Sequence, residues 1–339
     1  MRAGVGGRGG VRGLLAAALL VVPLAACGGG GGDGATEPST PAPAPPSAPE
    51  AAATELTQAP APGTAGPEAG DLAGLAEELA GEQDGPQDGP QDGPVRGPDG
   101  AVLGGDISWP QCPRGLGIPQ KRTLGMPLPL PEAEYVVIGL TNGPGFHPNP
   151  CLAAQVDWVA ERHLLASAYA VASFPDAATV ARHGTTGPFD GSTPDGALRN
   201  TGYQQARFNV ASMRSAGLVS PVVWIDVEPV PDFAWSDDPD ANAAVVEGVA
   251  RGYTDAGLAI GVYSTPYLWE QVVGDLALGV PEWRAAGHTS RAEALARCGE
   301  EWVVQGGPAV LGQWVADERD QDVTCPGVAD ELDRWFHQY

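Results

Sequence analysis

Residues 221–231 read Pro-Val-Val-Trp-Ile-Asp-Val-Glu-Pro-Val-Pro and contain the clearest strand pattern of the chain. Its apolar, β-branched run lies between prolines that cannot continue a hydrogen-bonded ladder, and this pattern predicts one buried strand. Side chains two apart on a strand point the same way, so Asp226 and Glu228 are predicted to share a face at its C-terminal end. Because buried carboxylates are costly unless paired or hydrogen-bonded, the pair indicates a polar cleft. The alternative is a strand end that runs into solvent.

Strand and helix patterns alternate from this stretch in both directions, through residues 105–339. The predicted strands are Val102–Ile107, Tyr135–Leu140, Ala166–Ser173, the Asp226 strand, Ala259–Tyr263, Glu282–Ala285 and Val310–Val315, with a less clear segment near Leu332. Predicted helices lie between them, at 151–162, 200–216, 240–255 and 291–298. This order predicts an α/β fold, a TIM-like (β/α)8-type barrel that need not be regular, with its active site at the C-terminal strand ends. An open doubly wound sheet is the alternative, but the sequence has no G-x-G-x-x-G or P-loop where such a sheet would need one.

The first 27 residues have the composition of an export signal. Three arginines precede an apolar run, residues 14–24, that is too short to span a bilayer as a stable helix. The run ends in Leu24-Ala25-Ala26-Cys27, which resembles a bacterial lipobox. The resemblance implies a lipid on Cys27 and a protein anchored at the cell membrane, on its extracytoplasmic face. The alternative is an ordinary secretory signal, and in both cases the mature chain lies outside the cytoplasm.

Residues 28–104 are predicted to be a disordered linker. They consist mostly of Gly, Ala, Pro, Ser, Thr and acidic residues, and they repeat Gln-Asp-Gly-Pro three times between residues 83 and 94. The formal net charge of the whole chain is −24. Because nucleic acids and anionic membrane surfaces need a basic footprint, this charge argues against both as partners.

Three motifs of residues 105–339 resemble the family-25 glycoside hydrolases, the bacterial and phage muramidases. Residues 106–111, Asp-Ile-Ser-Trp-Pro-Gln, match the family's Asp-x-Ser-x-x-Gln opening, and residues 225–228 match its Asp-x-Glu strand. Residues 261–264, Gly-Val-Tyr-Ser, match its Gly-x-Tyr-(Ser/Thr) strand, while 283–285 and 313–314 are weaker matches. The similarity spans about 106–335. The domain also resembles the family-25-like extracellular domains of actinobacterial lipoproteins.

The resemblance implies a cleft that binds peptidoglycan glycan and cuts the bond after N-acetylmuramic acid. Glu228 would be the general acid, Asp226 would orient the substrate or stabilise positive charge, and Asp106 would help to hold the charge pattern of the cleft. Cleavage of this kind needs two carboxyl groups and no metal or cofactor, and neither is expected. A monomer is expected, with cell-wall glycan as its partner. The candidate substrate contacts are Trp109, Gln111, Asn142, Tyr169, Tyr263, Gln313 and Trp314.

Departures from the family pattern leave other functions open. The family's Thr-Glu-Gly is Thr141-Asn142-Gly143 here, and its Tyr-His-Phe is Tyr169-Ala170-Val171. Its closing Asp-Leu-Asn is only vaguely visible around 330–333. One alternative is therefore a catalytically inactive barrel that binds cell-wall glycan or another surface polysaccharide. Another is a different chemistry on the same barrel, since a shared fold does not settle function.

Four cysteines in an exported domain indicate disulfides rather than a zinc site. Of the three connectivities, Cys112–Cys151 with Cys298–Cys325 is favoured. The first bridge would join the loops after two adjacent strands, and the second would close a loop in the last part of the domain. Trp109, Trp235 and Trp314 could be flat platforms for a sugar ring or could be packing residues, whereas Trp224 lies inside a strand and is expected in the core.

The lipobox predicts that the protein is held at the cell membrane through a lipid on Cys27. Cys27→Ser removes the thiol that would carry the lipid, so the protein should move from the membrane fraction to the soluble extracellular fraction. Fractionation of cells that express either form, followed by immunoblotting, measures this. A variant that stays in the washed membrane fraction to the same extent as the wild type would contradict the anchor.

Overall fold

Eight strands form a closed barrel in the computed structural model, which describes residues 96–97, 99–143 and 145–339. The predicted signal peptide, its Cys27 and most of the predicted linker therefore lie outside the described residues. The strands are β1 (Leu103–Ile107), β2 (Tyr135–Gly139), β3 (Leu165–Val171), β4 (Val222–Asp226), β5 (Ala259–Ser264), β6 (Glu282–Ala285), β7 (Ala309–Ala316) and β8 (Arg319–Thr324). A short ninth strand, β9 (His337–Gln338), pairs with the start of β3.

Helices connect most of the strands. They are α1 (Leu152–Glu161), α2 (Ala177–His183), α3 (Pro194–Ser215), α4 (Pro239–Asp255), α5 (Pro266–Val273), α6 (Arg291–Ala296) and α7 (Leu332–Trp335). Single 3₁₀ turns cover Trp109–Gln111, Glu300–Trp302 and Val328–Asp330. The four predicted helices are present, although α3 begins at Pro194 rather than near residue 200. The sequence analysis did not predict α2 and α5, which have seven and eight residues.

The predicted (β/α)8-type fold class is confirmed, with one irregularity at the eighth strand. Strands β1 to β7 are parallel neighbours in chain order, and β8 pairs antiparallel with both β7 and β1. A two-residue hairpin links β7 to β8, with Asp317 and Glu318 both at positive φ. Such a turn matches the twist of paired strands, so no helix is needed at this step.

The strand β8 was not predicted, and the segment near Leu332 is the short helix α7 rather than a strand. Charged residues at 319, 320 and 322 make β8 look like a loop in the sequence. A strand whose acids face the interior of a barrel lacks the usual apolar run. Its buried carboxyl groups are stabilised by hydrogen bonds from residues on other strands, as Asp322 is by Trp283. Only the pairing of β8 with β1 and β7 reveals it.

The folded part begins before residue 105, so the predicted boundary between linker and barrel falls inside β1. Val102 is fully buried, and its backbone N–H donates to the hydroxyl of Thr324 over 2.9 Å. Arg96 donates to the carbonyl of Ala329 and forms an ion pair with Asp330. The predicted strand Val102–Ile107 already crosses this boundary. Composition alone places Arg96 in the linker, because the few folded residues there are averaged with a long tract that has no strand pattern.

The strand β4 alternates between two cores. Val223 and Ile225 face the layer of helices, where they pack with apolar residues of α1, α3, α4 and α5. Trp224 faces the barrel interior, where its ring centroid lies 6.3 Å from that of Trp283. Gly261 on the neighbouring strand leaves room for the Trp224 ring, because a Cβ there would lie 2.3 Å from it. Trp224 is thus a core residue, as predicted, and Asp226 takes the next inward position towards the C-terminal end.

Two disulfides join the cysteine pairs that the sequence analysis favoured, Cys112–Cys151 and Cys298–Cys325. The first connects the 3₁₀ turn after β1 to the residue before α1, which follows β2. The second connects the segment after α6 to the residue after β8. Both therefore tie a connecting segment to another part of the barrel, across 39 and 27 residues of chain.

The Cys112–Cys151 bridge is expected to stabilise the fold by restricting the unfolded chain. Replacing both cysteines with alanine should lower the free energy of unfolding by about 2–5 kcal/mol. Urea unfolding of the wild type and the double variant measures this. Equal stabilities would contradict the prediction, as would non-reducing peptide maps in which Cys112 is linked to Cys298 or Cys325.

Candidate active site

A cavity of about 360 Å³ opens at the C-terminal ends of the parallel strands. This is the end at which barrels of this architecture carry their active sites. Its lining combines carboxylates with aromatic and amide side chains from seven strands. The lining residues are Asp106, Tyr169, Asp226, Glu228, Tyr263, Thr265, Leu268, Trp283, Ala285, Gly287, Gln313, Val315 and Asp320.

The predicted acid pair lies in this cavity. β4 ends at Asp226, which is 4% exposed, and Glu228 follows it, half-buried. The turn between them is held by the hydroxyl of Ser264, which donates to the Val227 carbonyl over 2.7 Å. Trp235 donates from its indole N–H to the Glu228 carbonyl over 2.9 Å. Both carboxyl groups are thus presented to one cavity by a fixed backbone.

A hydrogen-bond chain connects β5, β7 and β1 within the cavity. The hydroxyl of Tyr263 donates to Gln313 Oε1 over 2.8 Å, and Gln313 Nε2 donates to Asp106 Oδ2 over 2.9 Å. Gln313 can complete this chain because an amide both accepts and donates. Asp106, Tyr263 and Gln313, which were predicted from different motifs, therefore form one connected group.

Two further acids, Asp320 and Asp322 on β8, belong to the site and were not predicted. Asp320 lies opposite Asp106 in the β1–β8 register and lines the cavity. Asp322 lies opposite Gln313, is fully buried and accepts a hydrogen bond from the indole of Trp283 over 2.8 Å. The signal in the sequence was the two-residue spacing of these acids, which is the same spacing as that of Asp226 and Glu228.

From the sequence, the closing Asp-Leu-Asn motif of the family is expected around residues 330–333. The structure places these residues in a 3₁₀ turn and at the start of α7, where Asp330 and Asp333 are exposed. That part of the sequence prediction is corrected. The acids of the closing strand lie about ten residues earlier, on β8.

Burial raises the pKa of every acid in the cluster, and repulsion by a neighbouring carboxylate adds to the shift for Asp106, Asp226, Glu228 and Asp322. The pKa of Asp226 is raised by burial and then by the charge of Glu228. The pKa of Glu228 is raised to about 7 by burial and by Asp320, while Lys121 opposes this shift. The pKa of Asp106 is raised by burial and by Asp320 and Asp322. An acid that keeps its proton near neutral pH can act as a proton donor there.

Among the remaining predicted contacts, Tyr169 lies in the cavity wall and packs edge-on against Trp283, with 5.7 Å between ring centroids. Gln111 is not in the wall. Its Oε1 accepts from the Ser108 backbone N–H over 2.8 Å, which stabilises the 3₁₀ turn after β1. Trp109 belongs to the same turn and is half-buried. These two residues support the loop that follows Asp106.

Trp314 and Asn142 lie away from the cavity. Trp314 faces the outside of the barrel and packs with Ala101, Ala294 and Val323. Asn142 is 1% exposed, and both ends of its amide are engaged: Oδ1 accepts from Ile118 N over 2.7 Å, and Nδ2 donates to the Lys121 carbonyl over 2.9 Å. These placements remove both residues from the candidate substrate contacts.

Within residues 96–97, 99–143 and 145–339, no group of three or more His, Cys, Asp or Glu side chains is arranged to hold a metal ion. In the same residues, no helix has both the length and the apolar character needed to cross a bilayer.

The raised carboxyl pKa values predict how stability depends on pH. The folded state holds protons on Asp106, Asp226 and Glu228 at pH values where the unfolded chain, with values of 3.8 for Asp and 4.5 for Glu, has lost them. The free energy of unfolding should therefore fall as the pH rises from about 4.5 through about 7. Urea unfolding at several pH values measures this, and Glu228→Gln should flatten the dependence. A stability that instead rises over this range would contradict the assignment.

A family model described as Lysozyme-like protein 1 matches residues 192–289, which include α3, β4, β5 and β6. Counting factor 45-1 of Dictyostelium discoideum is 39% identical over 77 residues, which are 22% of this chain and 25% of that protein. Probable GH family 25 lysozyme 4 of the same organism is 36% identical over 66 residues, 19% of this chain and 30% of that protein. The chain thus spans about a quarter of the first curated relative that it matches.

Solved structures give longer but weaker alignments. A family GH25 lysozyme from Aspergillus fumigatus is 17% identical, with a TM-score of 0.45, and the alignment covers 69% of this chain and 99% of that one. A bacterial lysozyme from Streptomyces coelicolor is 16% identical, with a TM-score of 0.42, covering 68% and 94%. The matches in sequence, with Asp226 and Glu228 inside the matched region, confirm the predicted resemblance: this chain is similar to the family-25, lysozyme-like glycoside hydrolases.

Proposed function

We propose that the barrel is a glycoside hydrolase of the muramidase type, which cleaves the glycan of peptidoglycan with Glu228 as general acid. The observation that carries this proposal is the position of Glu228 beside Asp226 in a cavity at the C-terminal strand ends, with its pKa raised to about 7. The similarity to lysozyme-like proteins over residues 192–289 supports the choice of substrate class. The lipobox supports a lipid anchor that holds the enzyme at the outer face of the cell membrane.

The acid pair has the protonation that glycoside cleavage requires. Burial raises the pKa of both carboxyl groups, and the charge of Glu228 raises that of Asp226 further, so the loss of one proton opposes the loss of the second. When the pair holds one proton, one carboxyl group can protonate the leaving glycosidic oxygen. The other can stabilise the positive charge that develops on the sugar ring.

The remaining walls can bind and orient a sugar. Tyr169 and Tyr263 present flat, amphipathic rings, and Trp283 stands between them. Gln313 and Asp106 offer hydrogen-bonding groups that are already oriented by each other. Oriented groups of this kind lower the entropic cost of reaching a reactive geometry.

The alternative of an inactive glycan-binding barrel rested chiefly on Asn142, an amide where the family has an acid. In the structure this amide fastens the loop after β1 and does not belong to the cavity wall. The change therefore leaves the acid cluster complete, which favours the hydrolase.

Replacement of the proton donor tests this proposal. Glu228→Gln keeps the size and much of the hydrogen bonding of the side chain but removes its proton. The rate of release of reducing sugar ends from peptidoglycan should therefore fall by about 10²–10⁴-fold. Asp226→Asn should also lose activity.

Asp232→Asn is the matched control. Asp232 is exposed and has a φ of 70°, a backbone conformation that asparagine also tolerates, so this variant should keep its rate. If the wild type is active and Glu228→Gln keeps most of its rate with an unchanged circular dichroism spectrum, the proton donor lies elsewhere.

A further inference from the structure

A second cavity, of about 220 Å³, is formed by the segments that follow β2, β3 and β4 together with α3. Its walls include Phe146, Phe174, Pro175 and Phe233, and among the described residues that line it there is no Lys or Arg. It has no lining residue in common with the acid-lined cavity in the part of the chain that the structure describes. Pockets that hold whole drug-sized ligands measure about 300–1,000 Å³, so this cavity is of a size for one small group.

The wall that α3 contributes contains an oxygen without a partner. Gln205 is 2% exposed, and its Nε2 donates to the Ser173 carbonyl over 3.0 Å, which fixes the orientation of the amide. Its Oε1 is buried and has no hydrogen-bond partner among the described residues. Because an unpaired buried acceptor is costly, this oxygen indicates a donor that a ligand supplies.

Gly145 leaves this oxygen without a side chain over it. A Cβ on Gly145 would lie 2.4 Å from Gln205 Oε1, so a larger residue would cover it. The backbone N–H of Gly145 donates to Ser173 Oγ over 3.0 Å, and this hydroxyl still has its own proton to donate. An acceptor and a donor therefore lie beside the same glycine, which the N–H and the carbonyl of a peptide would match.

The aromatic walls are held in place by their neighbours. The ring of Phe146 stacks on His183, with 4.4 Å between centroids and 6° between planes, and it packs against Phe208 at 5.7 Å. The ammonium of Lys121 lies 5.8 Å from the ring centroid of Phe233, within reach of a cation–π interaction. Walls that are already ordered lose little conformational freedom when a ligand binds.

The charges around the cavity favour a neutral ligand. Asp176 lines it, and its carboxylate, which accepts from the Thr179 N–H over 2.7 Å at the start of α2, would repel an anion. The Lys121 ammonium beside Phe233 would repel a cation. A sugar ring is neutral, but its hydroxyl groups would lose hydration against phenylalanine rings, which offer them no hydrogen bonds.

We propose that this cavity binds a short, uncharged peptide segment with a small apolar side chain, such as an alanyl residue. The side chain would contact Phe146, Phe174 and Phe233. The peptide N–H would donate to Gln205 Oε1, and a peptide carbonyl would accept from the hydroxyl of Ser173. Because this site has its own walls, its ligand does not depend on whether the acid-lined cavity cleaves a glycan.

Binding of capped peptides to the full-length protein, measured by NMR titration, tests the site. N-acetyl-trialanine amide should bind, and the corresponding glycine peptide should bind about 3–10-fold more weakly because it lacks the methyl groups. The corresponding glutamate peptide is anionic and should not bind measurably. N-acetylglucosamine is the comparison sugar. If it occupies this cavity, as shown by loss of its binding in Gly145→Ala, and the alanine peptide does not, a sugar site replaces the peptide site.

Two variants act on the unpaired oxygen in different ways. Gln205→Met removes the amide and keeps the length of the side chain, so it should weaken binding of the alanine peptide about 5–20-fold. Gly145→Ala keeps the bond from Gln205 to Ser173 but places a methyl group over Oε1, and it should weaken binding by a similar factor. The matched control is Gln204→Met, which loses an amide that bonds the Thr186 carbonyl outside the cavity wall. It should stay within about twofold of the wild type.

Circular dichroism shows whether each variant is folded, and if Gln205→Met is not, Gly145→Ala decides. Failure of the wild type to bind the alanine peptide would overturn the proposal. So would equal affinities of the wild type and the folded variants, or an equal loss in Gln204→Met. A wild type that binds the peptide but cuts no peptidoglycan would contradict only the proposed hydrolase.

Discussion

The pairing of β8 with both β7 and β1 is the interaction on which the site depends. Six parallel pairings bring β1 to β7 side by side, and the antiparallel β8 completes the ring. This closure places Asp320 opposite Asp106 and Asp322 opposite Gln313. Without β8, the edges of β1 and β7 would expose unpaired backbone groups, and the Gln313–Asp106 hydrogen bond would lose its fixed geometry. One hairpin thus provides both a structural closure and part of the acid cluster.

The cluster illustrates how a fold can maintain groups that oppose its stability. Each carboxyl group in the cavity loses hydration, and each raises the pKa of its neighbours, so the site resists ionisation. The large core beneath it offsets this cost, with Trp224 and Trp283 filling the barrel below the acids. Lys121 acts in the opposite direction, since its positive charge lowers the pKa of Glu228. The balance between them determines when the acids carry charge.

The loops at this end of the barrel are fastened by contacts that the catalytic motifs do not include. The Cys112–Cys151 disulfide ties the turn after β1 to the segment before α1, and the Asn142 amide ties the same loop further along. Gln111 stabilises the turn itself. A change from acid to amide at position 142 therefore has a structural explanation within this chain. Departures from a family pattern at buried positions can reflect a different loop anchor rather than a lost activity.

Local patterns of residues were enough to predict most of the strands that apolar side chains bury and the acid pair at the end of one of them. Asp226 and Glu228 were predicted from the strand pattern before them, and Asp106 from the resemblance of residues 106–111 to the family-25 opening motif. The order of the loops favoured the cysteine pairing that the structure has. The strand β8 could be identified only from the three-dimensional structure, because its inward residues are acidic. The groups that pair with them, Trp283 by a hydrogen bond and β1 by strand pairing, are distant in the chain. Tertiary structure also determines that Trp314 faces outward and that the amide of Asn142 bonds backbone groups of the loop after β1. The local sequence pattern indicates which residues can be buried. Strand pairing between distant segments determines which side chains lie in the same cavity.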